Sequence, residues 1–236
     1  MRYCNNMLGT LYVIATPIGN LKDITLRALE ILKVADVIFA EDTRVTQKLL
    51  THYEIRVPVR RYNEHLPKPA VEEVIRRLRN VENVAVVSDA GTPGISDPGS
   101  VLVSLVRETI PGAQIIAIPG ASAVITALSV SGLAANKFTF LGYPPIKNKR
   151  RKFFAELKNI AVHPIVIYES PHRLQKTLEE LKGVFGENNQ IFISKELTKI
   201  YETNFKGNFA EATSYFTGNE GKPAYAGRGE FVIIIP

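Results

Sequence analysis

Cysteine and tryptophan are almost absent from this sequence of 236 residues, which contains one cysteine, Cys4, and no tryptophan. A single cysteine excludes an internal disulfide and a metal site built on several thiolates. No run approaches the roughly 20 apolar residues that a membrane-spanning helix needs. The first six residues also lack the apolar core of a signal peptide. These absences predict a cytoplasmic protein with no membrane anchor and no metal.

The turn behind the first apolar run is poor in glycine. The run from Leu11 to Ala15 predicts a strand, and the five residues that follow, Thr16-Pro17-Ile18-Gly19-Asn20, contain one glycine. A nicotinamide-dependent dehydrogenase needs a Gly-x-Gly-x-x-Gly turn at this point, where the backbone approaches a pyrophosphate. This class of enzyme is therefore excluded.

Basic residues outnumber acidic ones, 29 against 23, for a formal net charge of +6. A charge of this size favours an anionic partner, although it is also a common way for a protein to stay in solution. Five of the six residues from Lys147 to Lys152 are cationic. Contact with nucleic acid and a solvated helix start explain this cluster equally well.

The clearest signal for a ligand site is the segment from Ser88 to Gly99, with three glycines, two prolines and two aspartates. It follows the apolar run Val84 to Val87, which is typical of a strand buried on both faces of a parallel sheet. Open parallel sheets bind ligands beyond the carboxyl ends of their strands. Asp97 and Pro98 suit the N-cap and first position of the next helix, which leaves Asp89 for a ligand. A tight connection without a ligand is the alternative.

Polar residues also follow the other strands predicted in the first half. Strands that alternate with helices predict a parallel sheet, so the residues that follow the strands share one edge. The small residues Ala121 to Ala123 begin a helix and leave its first backbone amides open to a polar ligand, with a plain serine N-cap as the alternative. The charged residues expected at this edge are Glu41, Asp42, Arg44 and Glu64.

From Phe138 onward the predicted strands are longer and more mixed, which indicates a second domain. We place the two domains at residues 1–119 and 120–236. The expected fold class is α/β, with a mostly parallel N-terminal sheet covered by helices on both faces and a mixed C-terminal sheet with helices.

Charged residues follow two strands of this second half. The segment from Glu169 to Arg173 contains a Ser-Pro pair that suits the N-cap and first position of a helix. His172 and Arg173 would then flank the positive end of that helix, where they need an anion or the neighbouring acid as a partner. Lys195 follows another predicted strand, and exposed ion pairs explain it as well as a ligand does.

These segments together resemble the tetrapyrrole-methylase-like enzymes that use S-adenosylmethionine, and within them the branch that methylates small-subunit ribosomal RNA. The resemblance spans nearly the whole chain. The aspartate-glycine loop and the Pro-Gly-Ala-Ser turn belong to the wider superfamily, and the other segments are specific to the RNA-modifying branch. The segments that carry it are residues 16–24, 40–44, 88–99, 118–123, 168–173 and 195–199.

The resemblance implies a two-domain tetrapyrrole-methylase-like fold with S-adenosylmethionine in the cleft between the domains, commonly in a homodimer. It also implies 2′-O-methylation of a cytidine ribose in the decoding region of 16S ribosomal RNA, as RNA or within the small ribosomal subunit. By position, the residues expected to bind the cofactor are Pro17, Gly19, Ser88, Asp89, Ala90, Gly91, Thr92, Gly94, Ser122 and Ala123, with Tyr168 and Ala224 as further candidates.

Methyl transfer to a hydroxyl needs in-line geometry and a group that accepts the hydroxyl proton. Because the sulfonium donor is already activated, neither a metal nor a covalent nucleophile is required. Of the candidates Glu41, Asp42, Glu64, Glu169 and Lys195, we expect Glu41 or Glu169 to take the proton. The cations expected to contact RNA are Arg44, Lys147, Lys149, Arg150, Arg151, His172, Arg173 and Lys195.

Two departures from the family pattern shape the alternatives. The small-molecule branches have a first turn richer in glycine than Thr16 to Asn20, which argues against a tetrapyrrole substrate here. Members of the RNA branch often continue past the last strand into a basic tail, whereas this sequence ends at Pro236, so part of the RNA contact is either missing or supplied by the cluster from Lys147. A methyltransferase for a tetrapyrrole or a protein side chain, and a non-catalytic RNA-binding assembly factor, remain the rival functions.

Overall fold

A computed structural model describes residues 8–62, 67–97, 99–217 and 229–236 of the chain. By its internal contacts the chain divides into two compact units, Met1–Ser122 and Ala123–Pro236. The division lies three residues beyond position 119, where the sequence pattern placed it. Within the described residues, no helix combines the length and the apolar character that crossing a membrane would take.

The first unit alternates strands and helices. Its strands are short, and β2 and β4 are apolar and buried along their whole length, as expected for the interior of a parallel sheet. Its elements are β1 (Thr10–Ile14), α1 (Leu26–Val34), β2 (Val37–Ala40), α2 (Thr43–His52), β3 (Val59–Arg61), α3 (Pro67–Arg79), β4 (Val84–Val87), α4 (Gly99–Thr109) and β5 (Gln114–Ile118).

All strand pairs of this sheet are parallel, in the order β3-β2-β4-β1-β5. One hydrophobic core contains residues of α1 and α2, and the core on the other face contains residues of α3 and α4. The helices that leave β1 and β4 therefore cover opposite faces, although these two strands are neighbours. Such a reversal opens a crevice at the carboxyl ends of the two strands, where doubly wound folds bind ligands.

The second unit is a mixed sheet in the order β6-β7-β10-β8-β9. Its first two strands pair in parallel and the remaining pairs are antiparallel. A single hydrophobic core joins the sheet to α6, α7 and α8. The elements are α5 (Ala123–Ser131), β6 (Thr139–Phe140), α6 (Arg150–Glu156), β7 (Ile165–Glu169), α7 (Leu174–Phe185), β8 (Gln190–Lys195), β9 (Thr203–Asn208), α8 (Phe209–Thr217) and β10 (Phe231–Ile235).

The starts of two helices depend on the residues directly before them. The predicted start of α7 at Ser170 and Pro171 is wrong: α7 begins at Leu174, and residues 171–173 form a turn in which the Ser170 carbonyl accepts the N–H groups of Arg173 and Leu174. In contrast, α2 begins at Thr43, three residues before its apolar pattern starts. The reason is Asp42, whose side chain caps the helix by accepting the N–H of Arg44.

Candidate active site

The loops after β1 and β4 are joined by paired backbone hydrogen bonds. The N–H of Thr16 donates to the Gly91 carbonyl at 2.9 Å, and the N–H of Gly91 donates back at 3.1 Å. The Thr16 hydroxyl donates to the Ser88 carbonyl at 3.1 Å, and both residues are buried. The two loops therefore form one rigid surface at the mouth of the β1–β4 crevice.

The loop after β5 packs against the same surface. Gly91 has a φ of +83°, which favours glycine, and a side chain there would lie 3.5 Å from Ile18 and 3.7 Å from the Ala121 carbonyl. A methyl group at Gly120 would approach Cβ of Ala15 to 2.9 Å, so glycine is required for this close contact. Small residues thus bring the three strand-end loops into close contact.

A fourth loop joins through Asp89. Its Oδ1 accepts the backbone N–H of Asp42 at 2.9 Å, and this bond links the loop after β4 to the start of α2. Asp89 is half-buried and Ala90 beside it is exposed. The carboxyl ends of β1, β2, β4 and β5 therefore converge on one area, with Asp89 holding two of the loops in register.

Asp42 and Arg44 form the main ion pair of this area. Nε of Arg44 lies 3.0 and 3.1 Å from the two carboxylate oxygens of Asp42, and Nη2 lies 2.5 Å from Oδ2. These bonds and the N–H of Arg44 hold the pKa of Asp42 well below its usual range. The Asp42 carboxylate raises the pKa of Arg44 in turn. Asp42 therefore stays ionised, which makes it a capping and orienting group and a poor proton acceptor.

The charged residues that end β7 and β8 lie at one edge of the second unit. Glu169 and Lys195 both pair with Phe231 of the strand between them, from opposite sides. The Lys195 side chain is buried, with 5% exposed. Since a phosphate contact needs an exposed cation, the expectation that Lys195 holds RNA is not met, whereas His172 in the turn before α7 is exposed.

Glu169 is fully buried and held by four groups. Its Oε1 accepts the N–H of Ser170 at 2.7 Å and lies 2.7 Å from Nε of Arg173, and its Oε2 accepts the hydroxyl of Thr177 at 2.6 Å. Nη1 of Arg150 lies 4.0 Å from Oε2. The expectation that Glu169 takes a substrate proton is therefore wrong, because both oxygens are already engaged and none of the side chain is exposed.

Arg150 differs from the other cations of its cluster. It is 4% exposed and bonds to Glu180, to the Thr177 hydroxyl and to the Pro145 carbonyl. The expectation that Arg150 contacts RNA is wrong, since its guanidinium is buried against these partners. The expectation remains a prediction for Lys147, Lys149 and Arg151, whose side chains are exposed.

Arg173 connects the buried Glu169 to the loop before α6. Nη1 of Arg173 donates to the Pro144 carbonyl at 3.0 Å, and its guanidinium lies 5.8 Å from the ring centre of Tyr143. Burial and the nearby acids Glu230 and Glu169 raise the pKa of Tyr143. Arg150 and Arg173 therefore fix the loop that presents the exposed lysines, with Glu169 as their shared anchor.

Comparison with known proteins places the chain in a family. A family model described as tetrapyrrole (corrin/porphyrin) methylases matches residues 10–213. The chain belongs to this family. The match covers both units, and the expected fold class, a parallel sheet between helices followed by a mixed sheet, is confirmed.

Individual relatives agree with this assignment. A Synechocystis sp. protein named ribosomal RNA small subunit methyltransferase I is 43% identical over 228 residues, covering 97% of this chain and 79% of that protein. The Haemophilus influenzae protein of the same name is 45% identical over 200 residues, covering 84% and 69%. A crystal structure of cobalt precorrin-4 methyltransferase covers 95% of this chain and 94% of its own at a TM-score of 0.66. At 17% identity, this last likeness shows the fold alone.

The structure brings most of the residues predicted to bind a cofactor into one area of the first unit. Ser88 and Gly91 are buried there, Pro17, Asp89, Thr92, Gly94 and Ser122 are half-buried, and Gly19 and Ala90 are exposed. Ala123 and Tyr168 belong to the second unit and are half-buried. Ala224 and Glu64 lie outside the described residues. Within the described part of the chain, no group of three His, Cys, Asp or Glu side chains is placed to hold a metal ion.

Sequence reasoning missed two polar residues that organise these areas. Thr16 joins the first two loops, and Thr177 accepts a bond from Arg150 while it donates to Glu169. Thr177 lies eight residues beyond Glu169 in an ordinary amphipathic helix, so its spacing carries no signal. Thr16 follows β1 closely and has apolar neighbours in the sequence. A hydroxyl buried among such residues needs a hydrogen-bond partner, so this contact could have been predicted.

Proposed function

We propose that this chain transfers a methyl group from S-adenosylmethionine to the 2′-hydroxyl of a cytidine in the decoding region of 16S ribosomal RNA. The observation that carries the proposal is 43% identity to a ribosomal RNA small subunit methyltransferase I across 97% of this chain. A tetrapyrrole substrate is less well supported, because the solved tetrapyrrole-type relative is only 17% identical.

The loops of the first unit fit a nucleoside-type methyl donor. Their side chains are small at Gly91 and Ala121, which suits close packing of an adenosine against the loops. When bound, S-adenosylmethionine supplies a methyl group already activated by its sulfonium charge. The residues we assign to its binding are Pro17, Gly19, Ser88, Asp89, Ala90, Gly91, Thr92, Gly94, Ser122 and Ala123, with Tyr168 and Ala224 as weaker candidates.

Catalysis then depends on position and on removal of one proton. The ribose hydroxyl must be held in line with the methyl group, and such positioning alone removes a large part of the barrier. We assign proton removal to Glu41, which is half-buried directly after β2 and next to Asp42. Glu169 becomes a positioning residue, because it anchors the arginines beneath the basic loop.

Exposed cations supply the contact with RNA in this proposal. Lys147, Lys149 and Arg151 surround the start of α6, where Lys149 has a φ of +67° and makes no side-chain cap. Arg44 and His172 add exposed cations after β2 and β7. Glu180 pairs with Arg150, but the exposed cations at this helix start still repel one another and the positive end of the helix, and an RNA phosphate would relieve the repulsion.

Nucleoside analysis by mass spectrometry tests the proposal directly. Purified small ribosomal subunits from cells that lack this chain are incubated with the protein and labelled S-adenosylmethionine, and 2′-O-methylcytidine is expected as the labelled product. A tetrapyrrole precursor serves as the rival substrate. Label in the precursor but not in RNA would contradict the proposal, and cofactor binding without transfer to either would favour the assembly factor.

We also propose that the protein acts as a cytoplasmic homodimer. A dimer is common in the family that the sequence resembles, and it predicts a mass twice the 26.2 kDa of one chain. Light scattering during size-exclusion chromatography measures this mass directly. A value of one chain at micromolar concentration would contradict this part of the proposal.

A further inference from the structure

A row of basic residues lies along one exposed face of α2. Arg44, Lys48 and His52 follow each other at intervals of four residues, which places them on one face about 6 Å apart along the helix axis. All three side chains are exposed and line an open groove of about 870 Å³. The sequence analysis noted the first of them and missed the row.

Neutral polar groups and fixed walls complete this groove, which we call the α2 groove. Gln47 and Thr51 line it beside the cations, and Leu21 and Val59 form its apolar sides. The Tyr53 hydroxyl donates to the Leu21 carbonyl at 2.7 Å, so the turn that carries Leu21 is tied to the end of α2. The groove therefore has a defined shape.

The charge around the α2 groove is strongly one-sided. Residues 43–62 contain five lysines and arginines and one acidic residue, Glu54, which gives a formal net charge of +4. Arg60 and Arg61 are exposed on β3, the edge strand of the sheet. The acids that act on the row are Asp42 and Asp89, at its Arg44 end. Glu41 and Asp42 precede this segment directly and lower the formal net charge of residues 41–62 to +2, so the excess of positive charge lies toward the Lys48 and β3 side of the groove.

We propose that the α2 groove binds the sugar-phosphate backbone of the RNA substrate, an inference that rests on the proposed function. An open groove along a helix about 15 Å long suits an extended polyanion better than a small anion, which is usually held in a closed pocket. Cations spaced along the helix can meet successive phosphates, while the Gln47 amide and Thr51 hydroxyl can bond phosphate or ribose oxygens. Such contacts set the position of the RNA without selecting a base.

The groove leads to the candidate active site within the first unit. Its Arg44 end begins at the Asp42 N-cap, whose N–H is bonded to Oδ1 of Asp89 in the loop after β4. RNA bound along α2 from His52 toward Arg44 therefore reaches the area that holds Glu41. The groove thus accounts for how the target ribose is brought to the loops rather than for its chemistry.

Charge reversal at Lys48 tests the inference. The variant Lys48→Glu is compared with Arg107→Glu, which makes the same charge change at an exposed position of α4 on the opposite face of the sheet. We expect the KM for small subunits to rise about tenfold in Lys48→Glu and less than about twofold in Arg107→Glu. The kcat at saturating RNA and the affinity for S-adenosylmethionine stay at the parent values. In Lys48→Glu, the slope of log affinity against log salt concentration becomes less steep by about the amount that one phosphate contact contributes.

Each alternative outcome has a separate meaning. If the parent is active and Lys48→Glu leaves both the KM and the salt slope unchanged, the α2 groove does not bind the RNA backbone. The proposed function is unaffected by this result. An equal rise in KM in Lys48→Glu and Arg107→Glu also contradicts RNA binding at the α2 groove, because it shows an effect of the net charge of the protein. If Lys48→Glu loses affinity for assembled subunits but binds protein-free 16S RNA as the parent does, the α2 groove binds a ribosomal protein and not the RNA backbone. A parent protein that methylates no ribosomal RNA refutes the proposed function and, with it, this inference.

Discussion

Carboxylates at the strand ends of the two units have opposite surroundings. In the first unit, the Asp42 side chain is 27% exposed and pairs with one arginine that is itself 86% exposed. In the second, Glu169 is 0% exposed and shares two arginines whose side chains are 5% and 21% exposed. Both carboxylates stand where a parallel strand ends, so position in the fold alone does not determine their role.

The difference lies in which elements surround each strand end. β2 is next to the edge of its sheet, and its following loop stays near solvent beside the loop of Asp89. The end of β7 is covered by α7, by the turn before it and by the first residue of α6, which contribute Thr177, Arg173 and Arg150 respectively. Half-buried acids can meet a substrate, whereas a fully buried and fully bonded acid can only hold other parts in place.

The largest effect on stability is expected when Glu169 is removed from its buried contacts with Arg150 and Arg173. Glu169→Ala leaves Arg173 and the nearly buried Arg150 without a shared anion, and we expect a loss of about 3 kcal/mol in the free energy of unfolding. Urea unfolding followed by circular dichroism measures it. The control is Glu179→Ala, which removes a more exposed ion pair with Lys182 in α7. This substitution should lower the free energy of unfolding by less than about 1 kcal/mol. Equal losses would show that Glu169 is no more structural than a surface residue.

The proton acceptor of the first unit provides the next test. Glu41→Gln keeps the shape of the side chain but removes its basicity, so methyl transfer should fall about a hundredfold. Affinity for S-adenosylmethionine and the free energy of unfolding should stay close to the parent values. Glu54→Gln, at an exposed position after α2, is the matched control. Undiminished turnover in Glu41→Gln would remove Glu41 from the mechanism.

A smaller effect is expected at the bond between the loops after β2 and β4. Asp89→Ala removes the acceptor of the Asp42 N–H, and we expect about a tenfold weaker affinity for S-adenosylmethionine. Asp89→Asn keeps an oxygen at the acceptor position and should lose less. Calorimetric titration of both variants gives the comparison, and identical losses would mean that the carboxylate charge matters more than the loop contact.

The smallest effect concerns the pH dependence of the Asp42 contact. Its folded-state pKa lies below the ordinary 3.8, so its stabilisation is fully present above that value and is lost as the pH falls below it. The variant Asp42→Asn should therefore be less stable than the parent near pH 7 and approach it at about pH 3. Urea unfolding at both pH values checks this. A difference that grows on acidification would contradict the assigned pKa direction.

Much of the first unit was predictable because its central strands are apolar. Val84–Val87 was placed at its observed bounds, since short β-branched runs between turn residues have few other uses. The glycine- and proline-rich segment after β4 was likewise recognisable as the loop that joins this strand to the next helix. Local sequence was sufficient wherever the deciding interactions are local.

The buried group in the second unit was not predictable in the same way. Arg150 lies within a run of cations, and nothing in that run distinguishes the one that turns inward. Its partners Thr177 and Glu180 are 27 and 30 residues away along the chain. The bond between Asp42 and Asp89 spans 47 residues. Long-range contacts of this kind are fixed by how the elements pack, which the charge pattern does not encode.

The close approach of Gly120 to Ala15 also has a practical meaning for protein engineering. The methyl of Ala15 and the missing side chain of Gly120 form a matched pair at the ends of β1 and β5. Anyone who transplants the loop after β4 to another parallel sheet must carry this pair along, since a larger residue at either position would push the neighbouring turns apart. The minimal portable unit is therefore three strand ends rather than one glycine-rich loop.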